Sequence, residues 1–206
     1  MKLRRAGLTL MEMVVVMAIL IAMASIIVPL IRNQLSSAQT QASTASVIAV
    51  RAAALQYYQD LGQWPQTVAD LFRASTALPS TLQSYDPVVK RGWNGPYLQG
   101  AGSVYPKSTD LDSNGNAYSS LGFFPANAVY GIAGDPAVLD SWGHPIVIQY
   151  YVGAVTTGSP ADYLRIVAAG SNGMIETSNS VIYPTRASCG DDEVLYLKVP
   201  DLRPSP

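Results

Sequence analysis

The longest apolar stretch of the chain lies at its start. From Leu8 to Ile31 the residues are apolar apart from Glu12 and the small polar Thr9 and Ser25. A helix of about 20 such residues crosses the hydrocarbon core of a bilayer, so this run is long enough to span it. After Arg32 the pattern changes without stopping. Small or apolar residues recur at Leu35, Ala38, Ala42, Ala45, Ala49, Ala52 and Leu55, the alternating spacing of one helix face. Neither Pro nor Gly intervenes between Pro29 and Gly62, and Pro65 follows the glycine. The pattern therefore predicts one helix from Leu8 to Leu61, a rod of roughly 80 Å at 1.5 Å per residue. Gly62 is its expected stop. Pro29 is its one breaker, expected to kink or loosen it. The narrow alanine stripe is expected to pack closely against a sheet or another helix.

The remainder differs in kind. "TVADLFRAS" predicts a short helix, and Ala77 to Asp140 is rich in Gly, Pro, Ser and Asn, the composition of long structured loops. Three β-branched or aromatic runs follow, "PIVIQYYV" (145–152), "DYLRIVAA" (162–169) and "EVLYLKV" (193–199). In the second, Leu164, Ile166 and Ala168 alternate with Tyr163, Arg165 and Val167, which suits an antiparallel sheet with one face on the helix. The expected fold class is α+β: a long N-terminal helix, its first half transmembrane, packed on a small C-terminal antiparallel sheet. The tail "PDLRPSP" is too rich in Pro to continue a sheet.

Charge and composition narrow the function. The chain of 206 residues carries 13 Lys and Arg against 14 Asp and Glu, without the basic excess of a nucleic-acid binder. The one basic cluster, Lys2, Arg4 and Arg5, precedes the apolar run, so the positive-inside rule leaves Met1 in the cytoplasm and the bulk of the chain outside. A cleaved secretory signal has a shorter core and a small-residue cleavage site, which "IVPLIRNQL" lacks. A plain signal anchor fits the length but gives no reason for Glu12. An ionisable residue at membrane depth costs on the order of 3 kcal/mol, less near a helix end, and a functional partner is its default reading against a tolerated interfacial charge.

The residues "G-LTLME" resemble the processing signal of type IV pilins and type II secretion pseudopilins. The resemblance implies cleavage after Gly7 by a prepilin peptidase, N-methylation of the new terminus at Leu8, where the family usually has Phe, and an assembly role for Glu12. Pro29 falls where the family often has its helix proline. "YYQDLGQWPQTVADL", "RGWNGPYL", "LDSWGHPIVIQY", "RIVAAGSNG" and "CGDDEVLYL" resemble, in the same order, the major pseudopilin of type II secretion. About Gly100 to Gly134 looks like an insertion. Cleavage would create an ammonium on Leu8. Pairing it with the Glu12 carboxylate offsets part of the desolvation of each. The two are four apart, so an internal pair is open. The family implies a pair between neighbouring subunits, a heterologous contact that builds a helical fibre.

Other chemistry is weaker. In "DLDSNGNAY", Asp110, Asp112 and Asn114 fall at positions 1, 3 and 5 of a calcium loop, but position 12 is Leu121 where an EF-hand has Glu. A calcium site using another carboxylate and an ordinary Asx-rich turn both stay open. The resemblance also implies a calcium loop near the C-terminus, with ligands near Asn172 and on Asp191 or Asp192; the alternative is a solvated turn. Cys189 and His144, the only residues of their types, give one conceivable nucleophile pair with no third orienting group, and a zinc site is not indicated. Trp64, Trp93 and Trp142, beside Gly and Pro, read as packed loop anchors.

The expectation is a structural subunit, not an enzyme. It has a leader at 1–7, a transmembrane helix at 8–31, a periplasmic helix at 32–62 and a globular domain at 63–206. It sits by a single pass in the bacterial inner membrane with its C-terminal domain in the periplasm. Implied partners are copies of itself in a helical filament, minor pseudopilins, the prepilin peptidase and an inner-membrane assembly platform. The resemblance implies that the energy comes from a cytoplasmic ATPase; this chain itself has no G-x-x-x-x-G-K-[ST] loop. Two alternatives remain. One is a type IV pilin, major or minor, serving adhesion, twitching or DNA uptake. The other is a membrane-anchored calcium-dependent binding module.

Overall fold

The computed structural model describes residues 10–74, 78–99, 134–151 and 163–197. One helix, α1 (Leu10–Leu61), runs for 52 residues and passes through Pro29 unbroken. It ends where the sequence indicates: Gly62 takes a φ of +73° and donates its N–H to Tyr58 O at 2.8 Å, closing the last turn. The chain divides into two compact units between Gln39 and Thr40.

In the first unit, every described residue up to Ala38 is exposed, including Leu10, Val14, Ile19, Ile21, Ile26 and Leu30. A helix apolar on all sides is the kind that a membrane covers. By length and composition α1 can cross one. Ser25, its polar interruption, donates its hydroxyl to Ala22 O at 2.7 Å, so the group is satisfied within the helix.

In the second unit, the helix from Thr40 onward packs on a three-stranded antiparallel sheet in the order β1 (Val147–Gln149), β2 (Arg165–Ala168), β3 (Glu193–Tyr196). Val147 faces Val167 across the first pair, and Ile166 faces Leu195 across the second. The fold is thus the expected α+β arrangement, with strands shorter than the apolar runs that announced them. The core joins Val47, Val50, Ala54, Tyr57 and Leu61 of the helix to Ile146, Ile148, Leu164, Ile166, Ala168 and Leu197.

The packing face of the helix is a correction. The residues it buries are Ser43, Val47, Val50, Ala53, Ala54, Tyr57 and Leu61. Ala38, Ala42, Ala45, Ala49 and Ala52 of the alanine stripe are exposed. At 100° per residue the two faces lie roughly a third of a turn apart. The buried face carries Val47, Val50, Tyr57 and Leu61 beside Ser43, Ala53 and Ala54, and so removes more apolar area from water than the alanine stripe would.

The expected short helix after the rod is a single 3-10 turn, Val68–Leu71. Asp70 holds it, its Oδ2 accepting from Gln66 N at 2.8 Å and Thr67 N at 3.0 Å. The far face of the sheet is also buried. Arg165 and Val167 point away from the helix side, yet neither reaches solvent. The chain between β2 and β3 covers them, with Arg165 donating to Val181 O at 3.1 Å and to Ser178 O, and Gln149 to Thr177 O at 2.8 Å.

Candidate functional site

Two places carry the residues singled out above. The first is the start of α1. Glu12 sits in the first turn, exposed, where the unsatisfied N–H groups of a helix end favour a carboxylate. That effect is worth about 0.3–1 kcal/mol at an exposed site, less than the cost of placing a charge at membrane depth. Gly7 and Leu8, the expected processing residues, lie outside the described residues. So do Asp110, Asp112 and Asn114, and nearly all of the insertion expected at 100–134.

The second place is a pair of loops at one end of the sheet, Gly170–Thr177 and Cys189–Asp192. The structure brings Asp191 and Asp192 to the same loop system as Asn172. Asp191 Oδ2 accepts from Ser171 Oγ at 2.7 Å and Asn172 N at 3.0 Å. Asp192 Oδ2 accepts from Glu176 N at 2.8 Å and Thr177 N at 2.7 Å. Gly170, with φ +67°, lies so close to Asp191 that a side chain would collide with it. Glu176 returns a contact, its Oε2 accepting from Asp191 N at 3.3 Å. Burial raises Asp192 to about 6, an effect that hydrogen bonds from Thr177 and Glu176 oppose and the Glu176 charge reinforces.

The fit of this loop pair to calcium is partial. Asp192 Oδ1 is buried and has no hydrogen-bond partner among the described residues, as a cation-facing oxygen would. However, Asn172 Oδ1 is taken by Met174 N at 2.7 Å, and both aspartates spend one oxygen on backbone N–H groups. Calcium takes six to eight oxygens. Among the described residues no three His, Cys, Asp or Glu side chains converge as a metal site.

Next to these loops the structure ties His144 to Asp140, a residue that the sequence did not single out. Asp140 Oδ1 accepts from Trp142 N at 2.9 Å and His144 N at 2.8 Å. The buried His144 ring places Nδ1 3.0 Å from Gly170 O and 3.6 Å from Asp140 Oδ2. A carbonyl can only accept, so Nδ1 carries the proton. The imidazole is thus a tie between the lead-in to β1 and the Gly170 loop. Cys189 is likewise buried. Trp64 and Trp93 act in packing. Trp64 stacks on Tyr58 with ring centres 4.3 Å apart, and Trp93 donates to Asp70 O at 3.3 Å and meets the Tyr97 edge.

Compared with family models, with curated proteins and with solved structures, the chain matches none. The long apolar helix on a small antiparallel sheet is compatible with a pilin-like fold.

Proposed function

We propose that this chain is the structural subunit of a periplasmic pseudopilus, anchored in the bacterial inner membrane and assembled through its N-terminal helix to drive export of folded proteins by type II secretion. The observation that carries the reading is the start of α1: an apolar helix exposed on all sides, with one carboxylate in its first turn. Lipid or neighbouring helices can cover such a surface, and water cannot. A basic leader ending at Gly7 would be removed by a prepilin peptidase. The ammonium released on Leu8 of one copy would pair with Glu12 of the next and set the axial register. An assembly platform and minor pseudopilins complete the machine, and filament growth pushes the substrate outward.

The decisive experiment replaces Glu12 with Ala. The variant should insert in the membrane and be trimmed at Gly7–Leu8 yet form no filament. Equal polymerisation of correctly trimmed Glu12→Ala protein would overturn the reading. It would leave the membrane-anchored binding module as the better account. A type IV pilin passes the same test, and loss of protein export without loss of surface adhesion separates the two.

The buried Asp192 Oδ1 favours one addition, a calcium ion held at Asp192. Calcium should raise the unfolding midpoint over a chelator control, and Asp192→Asn should remove that difference. An unchanged midpoint leaves the loop as an Asx-capped turn.

A further inference from the structure

The second unit carries an apolar tip that its own packing leaves uncovered. The turn from Asp86 to Arg91 presents Val88 and Val89 side by side, 88% and 64% exposed, followed by exposed Lys90. The turn is internally fixed. Asp86 Oδ1 accepts from Val88 N at 2.8 Å and Val89 N at 3.2 Å. Lys90 N donates to Asp86 O at 2.8 Å, and Asp86 N to Arg91 O at 2.9 Å. Lys90 has a φ of 55°, a conformation that a side-chain-bearing residue keeps where its surroundings hold it. The base is tied to the helix end, through Gly92 N to Asp60 O at 3.0 Å and Arg91 Nη2 to Leu61 O at 3.3 Å. A knob already ordered in this way loses little entropy on being covered.

A patch of opposite charge lies elsewhere on the same unit. Met174 is 45% exposed, and Glu176 and Asp191 are exposed beside it. The two patches occupy opposite ends of the sheet. Tyr150, one residue past β1, donates its hydroxyl to Pro65 O at 2.7 Å, which puts the Gln149–Arg165–Tyr196 end beside the helix end and its tip. Asp191 precedes β3, and Glu176 is held by Asp192, at the end where Ala168 pairs Glu193.

We propose that the Val88–Lys90 tip of one copy seats on Met174, Glu176 and Asp191 of the next copy. The inference rests on the filament reading above and adds a contact between the globular parts. The two patches are complementary to each other and not to themselves. Placed at opposite ends, they make a heterologous contact that propagates and does not close. The valines against the flexible Met174 thioether bury apolar area, and Lys90 between two acids fixes the orientation.

The test uses the full chain, trimmed and under assembly conditions. Val88→Cys and Met174→Cys are carried on separate copies, each with Cys189→Ser, then mixed and mildly oxidised. A cross-link should form between the two variants and not within either alone. Lys90→Glu should raise the critical concentration for assembly about tenfold, and adding Glu176→Lys should restore it. If filaments that depend on Glu12 form without the cross-link, the contact is wrong and the filament reading stands. Val88→Cys linking to itself or to a different protein also overturns it. If no filament forms under any condition, both readings fall together. Should Glu176→Lys disturb its own loop, the cross-link alone decides.

Discussion

Arg165 is a guanidinium 3% exposed, bonded to three neutral oxygens: Gln149 Oε1 at 2.6 Å, Val181 O at 3.1 Å and Ser178 O. Removing the donor strands the buried Gln149 Oε1 and two part-buried carbonyls, at about 1–3 kcal/mol for each buried group left unsatisfied. Arg165→Met is therefore expected to destabilise the chain by roughly 2–4 kcal/mol in denaturant unfolding in mild detergent, with faster amide exchange through 177–183. Asp192 gives a prediction in pH. Burial raises its folded pKa to about 6, above its ordinary value, so the native state holds the proton that the unfolded chain has lost. Its contribution to stability is greatest in acid and is lost as pH rises towards 6 and beyond. Asp192→Asn should flatten that part of the curve and unfold later than the parent near neutral pH, measured by thermal melts with chelator present. Neither role was legible in the sequence. Arg165 stood in an alternating strand pattern, as an outward polar residue does, and only the return of the chain over that face buries it.

At the scale of elements, the helix, its stop at Gly62 and the three strands were readable, because each has a local cause in periodicity, in φ or in β-branching. The helix face was not. Alanines and valines both satisfy a spacing of three and four, and choosing between them requires knowing which row meets the sheet. A pair of substitutions checks the observed choice. Leu61→Ala should cost about 2–5 kcal/mol, since Leu61 is buried in the core. Ala45→Leu, on the exposed row, should stay within about 0.5 kcal/mol of the parent. Denaturation midpoints at constant m report both. The acid loops were partly legible: Asp191 and Asp192 were found, while their use as caps for two backbone turns depends on a second loop brought near by folding.

For the whole molecule, the division between Gln39 and Thr40 predicts that a chain beginning at Thr40 is a soluble folded monomer, since the core lies beyond that point. Sedimentation and a cooperative melt check this, and aggregation would contradict it. The intact protein is a different case. From Leu10 to Ile31 its side chains offer apolar surface in every direction. At about 25 cal/mol for each Å² moved into water, a free aqueous state of that segment is closed to it. Any departure from the bilayer is then a direct hand-over, one greasy sleeve exchanged for another. On the proposed filament reading, the step that withdraws the chain from lipid and the step that gives it neighbours would be one step.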